Sequence, residues 1–366
     1  MTDKIKYYDF EYMRKFVKEV FLKLGTPEED ADIISDVIIE ADKRGIDSHG
    51  TARLKTIYYD RIKEGIQFTK TDFEIIKDRK AAAVVDGHNG MGQVIAKKSM
   101  DMAIAKAKEY GMGMVAVRNS THYGIAGYYA MQAVKAGMIG ITGTNARPSV
   151  APTFGIENML GTNPLTFGMP TDEEFPFVLD CATSLTQRGK IEVYSRLNKK
   201  LPDGWVIGED GESKNDSVKI LEDLLTGKAA LTPLGGIGEE TAGYKGYGYS
   251  TVVEILSAAL QTGNFLKALN GIENGNKVPY RLGHFFIAVN IEFFTEIDSF
   301  KKITGDILRS LRDSKKMKNQ PRIYTAGEKE HLAWIERKTK GIPLPKKSIE
   351  ELNAICFELG FTQYKF

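Results

Sequence analysis

The stretch best suited to do chemistry is Arg118-Asn119-Ser120-Thr121-His122-Tyr123-Gly124. It follows an apolar run, Gly113 to Val117, that reads as a short buried strand, and precedes Ile125 to Met131, which reads as the start of a helix. A histidine at a strand-to-helix turn sits where a rigid scaffold can aim it into a cleft. Its ordinary pKa lies near neutrality, so it can give or take a proton at working pH. This makes His122 the candidate proton donor and acceptor of an oxidoreductase. The simpler alternative is a turn histidine bonded to a neighbouring carbonyl.

A second set is Asp47-Ser48-His49-Gly50-Thr51-Ala52-Arg53. Leu54, Ile57, Tyr58 and Ile62 mark a helix starting near Ser48 or Thr51, which would place Arg53 on the same face as His49. An imidazole beside a guanidinium can grip a planar carboxylate, and arginine makes two parallel bonds that lysine cannot. A capping serine with a surface His/Arg pair is the competing reading. No histidine or carboxylate follows His49 at i+4, so a helical zinc pair is excluded.

Two glycine-rich turns could approach a ligand. Gly87-His88-Asn89-Gly90-Met91-Gly92 lies between a strand and a helix, but Ile95 stands at the third glycine position of a dinucleotide fingerprint. The following strand also ends in Arg118 rather than an acid, so no Rossmann unit is assigned. Leu234 to Gly238 and Gly243-Tyr244-Lys245-Gly246 lead directly into the helix from Val252. Glycines, Lys245 and a helix start suit a phosphate, against the alternative of a flexible turn. Asp180 ends the strand Phe177 to Ser184, where it could accept from sugar hydroxyls or cap the helix around Ile191. His88, His284 and His331 read as structural or surface residues.

The positioning elements follow from periodicity. Phe10 to Leu24 is an amphipathic helix stopped at Gly25, and Thr26-Pro27-Glu28-Glu29 looks like a capping box opening a second helix that ends near Arg44-Gly45. A lobe boundary falls near residue 75. His284 to Asn290 reads as a buried strand, Phe300 to Leu311 as a long helix, and Leu352 to Leu359 as the last.

The chain has 366 residues, which calls for more than one lobe. Its formal charge of +2 argues against a nucleic-acid binder. No apolar run approaches the ~20 residues of a membrane span, and the N-terminus lacks a signal-peptide block. Cys181 and Cys356 stand far apart, so neither a disulfide framework nor a cysteine metal site is expected, and a cytoplasmic location fits.

Taken in order, these motifs resemble the malate/L-lactate dehydrogenase family that is distinct from the Rossmann-type lactate and malate dehydrogenases. The resemblance runs through Asp47-Ser48-His49-Gly50 with Arg53, Val85-Asp86-Gly87, Thr121-His122-Tyr123-Gly124 and Leu160-Gly161-Thr162-Asn163-Pro164. It continues through Leu179 to Ser184, Gly243 to Gly248, and Gly327-Glu328 leading to Gly341-Ile342-Pro343-Leu344-Pro345. Two positions depart from it: Cys181, where Leu or Met is commoner, and Ala326, where a proline often precedes Gly327.

The resemblance implies a mixed α+β fold, with a large, mostly antiparallel cofactor lobe of non-Rossmann type and helical lobes from the chain ends. The expected divisions are a helical lobe over 1–75 packed with 310–366, a β-rich NAD(P)-binding lobe over 76–230, and a glycine-rich turn, helix and returning strand over 231–309. It implies a homodimer with its active site near the interface, acting on a small-molecule 2-oxo or 2-hydroxy acid with NAD or NADP. By this resemblance His122 is the acid/base, and Ser48, His49 and Arg53 form the substrate-side group, Arg53 holding the carboxylate. Asn145, Thr162 and Asn163 line the pocket, while Asp180, Cys181, Ala182, Lys245, Gly327 and Glu328 bind the cofactor. Oxaloacetate/L-malate is the first expected pair and pyruvate/L-lactate the second. A cyclic imino-acid or diketogulonate reductase on the same scaffold is the alternative. A non-catalytic protein keeping its glycines for packing alone is the remaining class.

Overall fold

The computed structural model describes residues 5–366, the side chain of Arg196 excepted. Two amphipathic helices open the chain: α1 (Phe10–Lys23) and α2 (Glu28–Lys43). Gly25, with φ of +92°, turns the chain between them. Pro27 stands at the N-cap of α2, one residue before the first helical position that the sequence predicts for it, and the Thr26 hydroxyl is buried without a hydrogen bond, so the capping box does not form.

The expected third helix is not a regular α-helix. Thr51–Arg53 is a 3₁₀ turn, Leu54–Tyr59 a π-helix, and only Asp60–Lys63 is α-helical. Widening the turn lets two consecutive tyrosines face inward: Tyr58 reaches His122 and Tyr59 donates to Glu358. Propensity alone favours the ordinary helix; burying both rings overrides it.

Seven strands form the main sheet: β1 (Glu74–Arg79), β2 (Ala82–Asp86), β3 (Met112–Ser120), β4 (Met138–Thr144), β5 (Leu165–Met169), β6 (Phe177–Cys181) and β7 (Leu282–Asn290). Their order is β1-β2-β3-β7-β4-β5-β6. Only β2 and β3 run parallel, joined by α3 (Gly92–Tyr110); every other neighbouring pair is antiparallel. A doubly wound sheet is thereby excluded, as the failed glycine fingerprint anticipates. The late strand β7 fills the centre, so residues well past 230 complete the sheet.

Side chains alternate across that central strand. Phe286 and Ala288 pack with α3 and with α4 (Ala126–Lys135) on one face. On the other face Gly283 lies against Ser257 of α6 (Gly243–Ala258), where a Cβ would overlap the Ser257 carbonyl. A small satellite core, including Val150, Ile191, Val206 and Ile220, carries α5 (Arg188–Arg196).

The chain ends meet. Lys6–Tyr8 pairs antiparallel with Ile342–Leu344. α9 (Lys346–Leu359) contributes Leu352 and Ile355 to a core shared with Phe16, Phe21, Ile34 and Tyr58. The intervening α7 (Ile297–Asp313) and α8 (Glu328–Lys340) link that core back to the sheet. Among the described residues, no helix is long and apolar enough to cross a membrane.

Candidate active site

His122 leaves the end of β3 on a loop held from two sides. Thr121 Oγ1 accepts from Gly92 N (3.0 Å) and donates to the Gly90 carbonyl (2.8 Å). Gly92 must be glycine, because a Cβ would overlap the carbonyls of Thr121 and His122. Gly90 and Gly92 thus dock the start of α3 against the loop that carries His122.

His49 reaches the same place from the other end of the sequence. Asp42, near the end of α2, accepts from Thr51 N (2.9 Å) and from the Thr51 hydroxyl. Arg337 of α8 donates to the Asp42 carbonyl (2.6 Å) and forms a double contact with Asp47 (2.5 and 2.9 Å). Burial pushes the Asp42 carboxyl up to about 7. A Cβ on Gly50 would overlap Asp42 Oδ1, which explains the glycine in this motif.

The two imidazoles stack, with ring centroids 5.5 Å apart and planes 21° apart. Ser48 Oγ lies 2.8 Å from His49 Nδ1. His122 Nδ1 lies 2.8 Å from the buried Tyr58 hydroxyl and accepts from Gly124 N at 3.3 Å. A main-chain N–H can only donate, so the neutral ring carries its proton on Nε2. His122 Nε2 has no hydrogen-bond partner among the described residues and is the atom left to meet a substrate.

Burial holds the His122 pKa well below the usual histidine value, and the nearby His49, Arg61, His284 and Arg53 lower it further. His49 is pushed down to about 4, first by burial and then by Arg53. Both rings are neutral at pH 7 in the free protein. An arriving anion would offset these cations and raise the proton affinity of His122.

Arg53 stands at the rim, with Nη2 3.6 Å from Glu192 Oε2 of α5. Gly189, in the first turn of α5, packs near Ser48 and Arg53, so this helix roofs the substrate side. The sequence-based set of Ser48, His49, Arg53 and His122 is therefore brought together.

The other expected site residues play more varied parts. Asn145 Oδ1 accepts from Gly283 N and its Nδ2 donates to the Asn264 carbonyl. Asn163 Oδ1 accepts from Ala146 N, while its Nδ2 donates to Glu254 (2.8 Å) and the Ser250 carbonyl. Both asparagines are buried and brace the pocket loop with their side chains. Thr162, half-buried, accepts from Thr183 N through its carbonyl.

Asp180 does not cap the helix around Ile191. Its oxygens accept from Gly127 N (2.7 Å), at the start of α4, and from Thr166 Oγ1 (2.9 Å). It thereby anchors the helix that follows the His122 loop. Glu328 is buried, binding Arg322 and accepting from Thr325 N, so it fastens its own loop. Cys181 is a free, exposed cysteine, and Ala182 continues from it. Gly327, with φ of +90°, packs against Pro176 and Val178 beside Asp180. Lys245 is exposed on the first turn of α6, where Gly243 and Gly246 approach the Gly236 and Leu234 carbonyls too closely for any Cβ.

Sequence reasoning missed Tyr58, Arg61 and Glu254. Tyr58 was assigned only to a buried stripe, and its hydroxyl is the sole local hint of a polar task. Of the two readings of His284 the structural one holds: it is fully buried, its ring stacks on Tyr123 at 4.5 Å and Nδ1 lies 2.7 Å from Thr144 Oγ1. Burial pushes it down to about 3. Among the described residues no cluster of side chains could hold a metal ion.

Two stacked imidazoles meet beside an arginine on a sheet without the doubly wound topology. The family model for malate/L-lactate dehydrogenase matches residues 8–353, and the chain belongs to that family. It is a malate dehydrogenase-like 2-hydroxy-acid dehydrogenase, a class that implies a nicotinamide cofactor. The malate dehydrogenase of Pyrococcus abyssi is 45% identical over 361 residues, 97% of each chain. The L-sulfolactate dehydrogenase of Methanocaldococcus jannaschii is 38% identical, over 96% of each chain. The crystal structure of malate dehydrogenase from Entamoeba histolytica superposes with a TM-score of 0.95 at 44% identity, covering 99% of this chain and 100% of that one.

Proposed function

We propose that the protein interconverts a small 2-oxo acid and its 2-hydroxy acid, oxaloacetate/L-malate first and pyruvate/L-lactate second, with NAD or NADP. The observation that carries this reading is the stacked His49–His122 pair beside Arg53, with His122 Nε2 left open. Arg53 grips the carboxylate and so fixes the adjoining carbonyl carbon. In reduction, protonated His122 donates from Nε2 to the carbonyl oxygen. The Tyr58 hydroxyl serves both ring states, donating to a bare Nδ1 and accepting from a protonated one. In the reverse direction Nε2 takes the proton of the substrate hydroxyl. His49, kept neutral, adds no competing charge beside it.

When bound, the nicotinamide cofactor supplies or accepts the hydride. The residues present fit such a group at its phosphates. Lys245 has no ion pair among the described residues, and it stands on a helix N-terminus behind closely packed glycines. Cys181, Ala182 and Gly327 would lie along the adenosine end, with Asp180 and Glu328 holding the surrounding backbone. Asn145, Thr162 and Asn163 would shape the substrate wall.

The protein acts in the cytoplasm as a homodimer with its active site near the interface. Two observations support this reading: both cysteines are free, and α6 and α7 leave Val252, Ile255, Ile303, Ile307 and Leu311 exposed. Light scattering on the purified protein should return twice the chain mass; a monomer would remove the dimer from the reading.

The deciding experiment is a panel of 2-oxo acids and cyclic imino acids assayed with NADH and with NADPH at 340 nm. Oxaloacetate should turn over best. Turnover of the imines alone, or of nothing, would overturn the proposal.

A further inference from the structure

Gln93, the second residue of α3, is fully buried, and neither its Oε1 nor its Nε2 has a hydrogen-bond partner among the described residues. A buried amide left without bonds costs free energy at both of its ends and calls for a task. Its place is fixed by its neighbours. Gly92, just before it, lies against the carbonyls of Thr121 and His122, while Met91 and Val94 pack in the same core as Tyr58. The amide is near enough to the Tyr58 hydroxyl to act on it. Burial raises the pKa of that hydroxyl, and the Arg61 charge and the Gln93 amide oppose the rise.

Proton transfer at His122 leaves one hydrogen without a place. For Nε2 to exchange a proton with the substrate, the ring must hold another on Nδ1, because a neutral imidazole always carries one. Nδ1 then donates to the Tyr58 oxygen, 2.8 Å away, and the longer contact from Gly124 N, at 3.3 Å, is given up. The Tyr58 hydroxyl can no longer point its own hydrogen at the ring. Tyr58 is fully buried, and among the described residues its hydroxyl bonds to nothing but His122. An amide offers an acceptor at one end and donors at the other, and a half-turn of its terminal torsion exchanges them. Bonded to nothing else, Gln93 can turn without breaking another contact.

We infer that Gln93 is a positioning residue for the proton transfer: its Oε1 takes the hydrogen bond of the Tyr58 hydroxyl during the chemical step, so that the Tyr58 oxygen accepts from Nδ1 while Nε2 exchanges with the substrate. In the free protein the amide presents its NH2 to the Tyr58 oxygen instead, and Tyr58 donates to the bare Nδ1. In reduction the Nε2–H bond breaks and the substrate O–H bond forms. The Nδ1 proton, taken up from solvent when the ring is protonated, stays in place. The inference rests on the acid/base role proposed above for His122.

The test is the single-turnover rate of NADH or NADPH formation from L-malate, followed at 340 nm by stopped flow. It compares the wild type, Gln93→Met, Tyr58→Phe and the double variant. Gln93→Met keeps the length of the side chain without its polar ends. It should slow the step roughly tenfold, the effect of one buried hydroxyl left without an acceptor. The L-malate concentration giving half the maximal rate should stay within about twofold of wild type, since the substrate contacts are untouched. Tyr58→Phe removes the hydroxyl that needs the acceptor, so the double variant should be no slower than Tyr58→Phe alone. Should Gln93→Met fail to fold, Gln93→Leu decides by the same comparison. A wild-type rate in the Gln93 variant, or losses that multiply in the double variant, overturns the inference and leaves the parent function standing. A wild type that forms no reduced cofactor from any 2-hydroxy acid overturns both.

Discussion

The Tyr58 hydroxyl lies 2.8 Å from His122 Nδ1, joining a π-helical turn of the N-terminal segment to the loop after β3. With Gly124 N on the same nitrogen, this contact orients the ring and turns Nε2 towards the open side. His122→Ala should lower turnover by roughly 10²–10⁴-fold, the range attached to lost acid/base catalysis. Tyr58→Phe keeps the ring in place but removes a partner worth about 1 kcal/mol, for a turnover loss of about fivefold. Steady-state rates in both directions, with circular dichroism as the folding control, check both variants. Wild-type turnover in His122→Ala would remove it from the acid/base role.

Arg53 and Glu192 face each other at 3.6 Å. A substrate carboxylate must compete with Glu192 for the guanidinium. Arg53→Lys should raise KM for 2-oxo acids by roughly tenfold or more, because the ammonium cannot reproduce the two-point grip. Glu192→Gln should lower KM by a few-fold, by releasing the competitor. Unchanged KM values in both variants would make Arg53 structural.

The direction of the His122 shift fixes a pH dependence. Burial first, then neighbouring positive charge, holds its pKa well below 6.5 in the free protein. The protonated form that reduction needs is therefore a minority at pH 7, and shrinks tenfold for each further pH unit. Log kcat/KM for 2-oxo acid reduction should fall with a slope near −1 across neutral pH. Oxidation needs the neutral ring, so its rate should be flat there and drop only in acid. A flat reduction profile from pH 6 to 8 would exclude His122 as the proton donor.

Gly50 and Asp42 touch so closely that no Cβ fits between them. Gly50→Ala must displace the carboxylate from Thr51 and tilt the loop carrying His49. We expect a stability loss of about 1–3 kcal/mol from the overpacking, with a fall in activity beyond that seen in a surface Gly65→Ala control. Thermal melts and rates on the same samples measure both. An unaltered melt would show that the loop relaxes at no cost.

Much of this protein was legible in the chain itself. Helical periodicity located α1, α2 and α9, and apolar runs located β3, β4 and β7, because burying a stripe or a face leaves a local record. The motif residues Ser48, His49, Arg53 and His122 were recognisable by type and spacing. Other features depended on partners distant in sequence. The helix pattern from Leu54 to Ile62 gave way to a π turn because the buried Tyr58 and Tyr59 each had a polar partner, His122 and Glu358, that no local window contains. The hydrogen-bond partners of Asp180 and Glu328, namely Gly127, Thr166, Arg322 and Thr325, are set by the fold. Residue type states what a side chain can bond to; only the tertiary structure decides which bonds are already made.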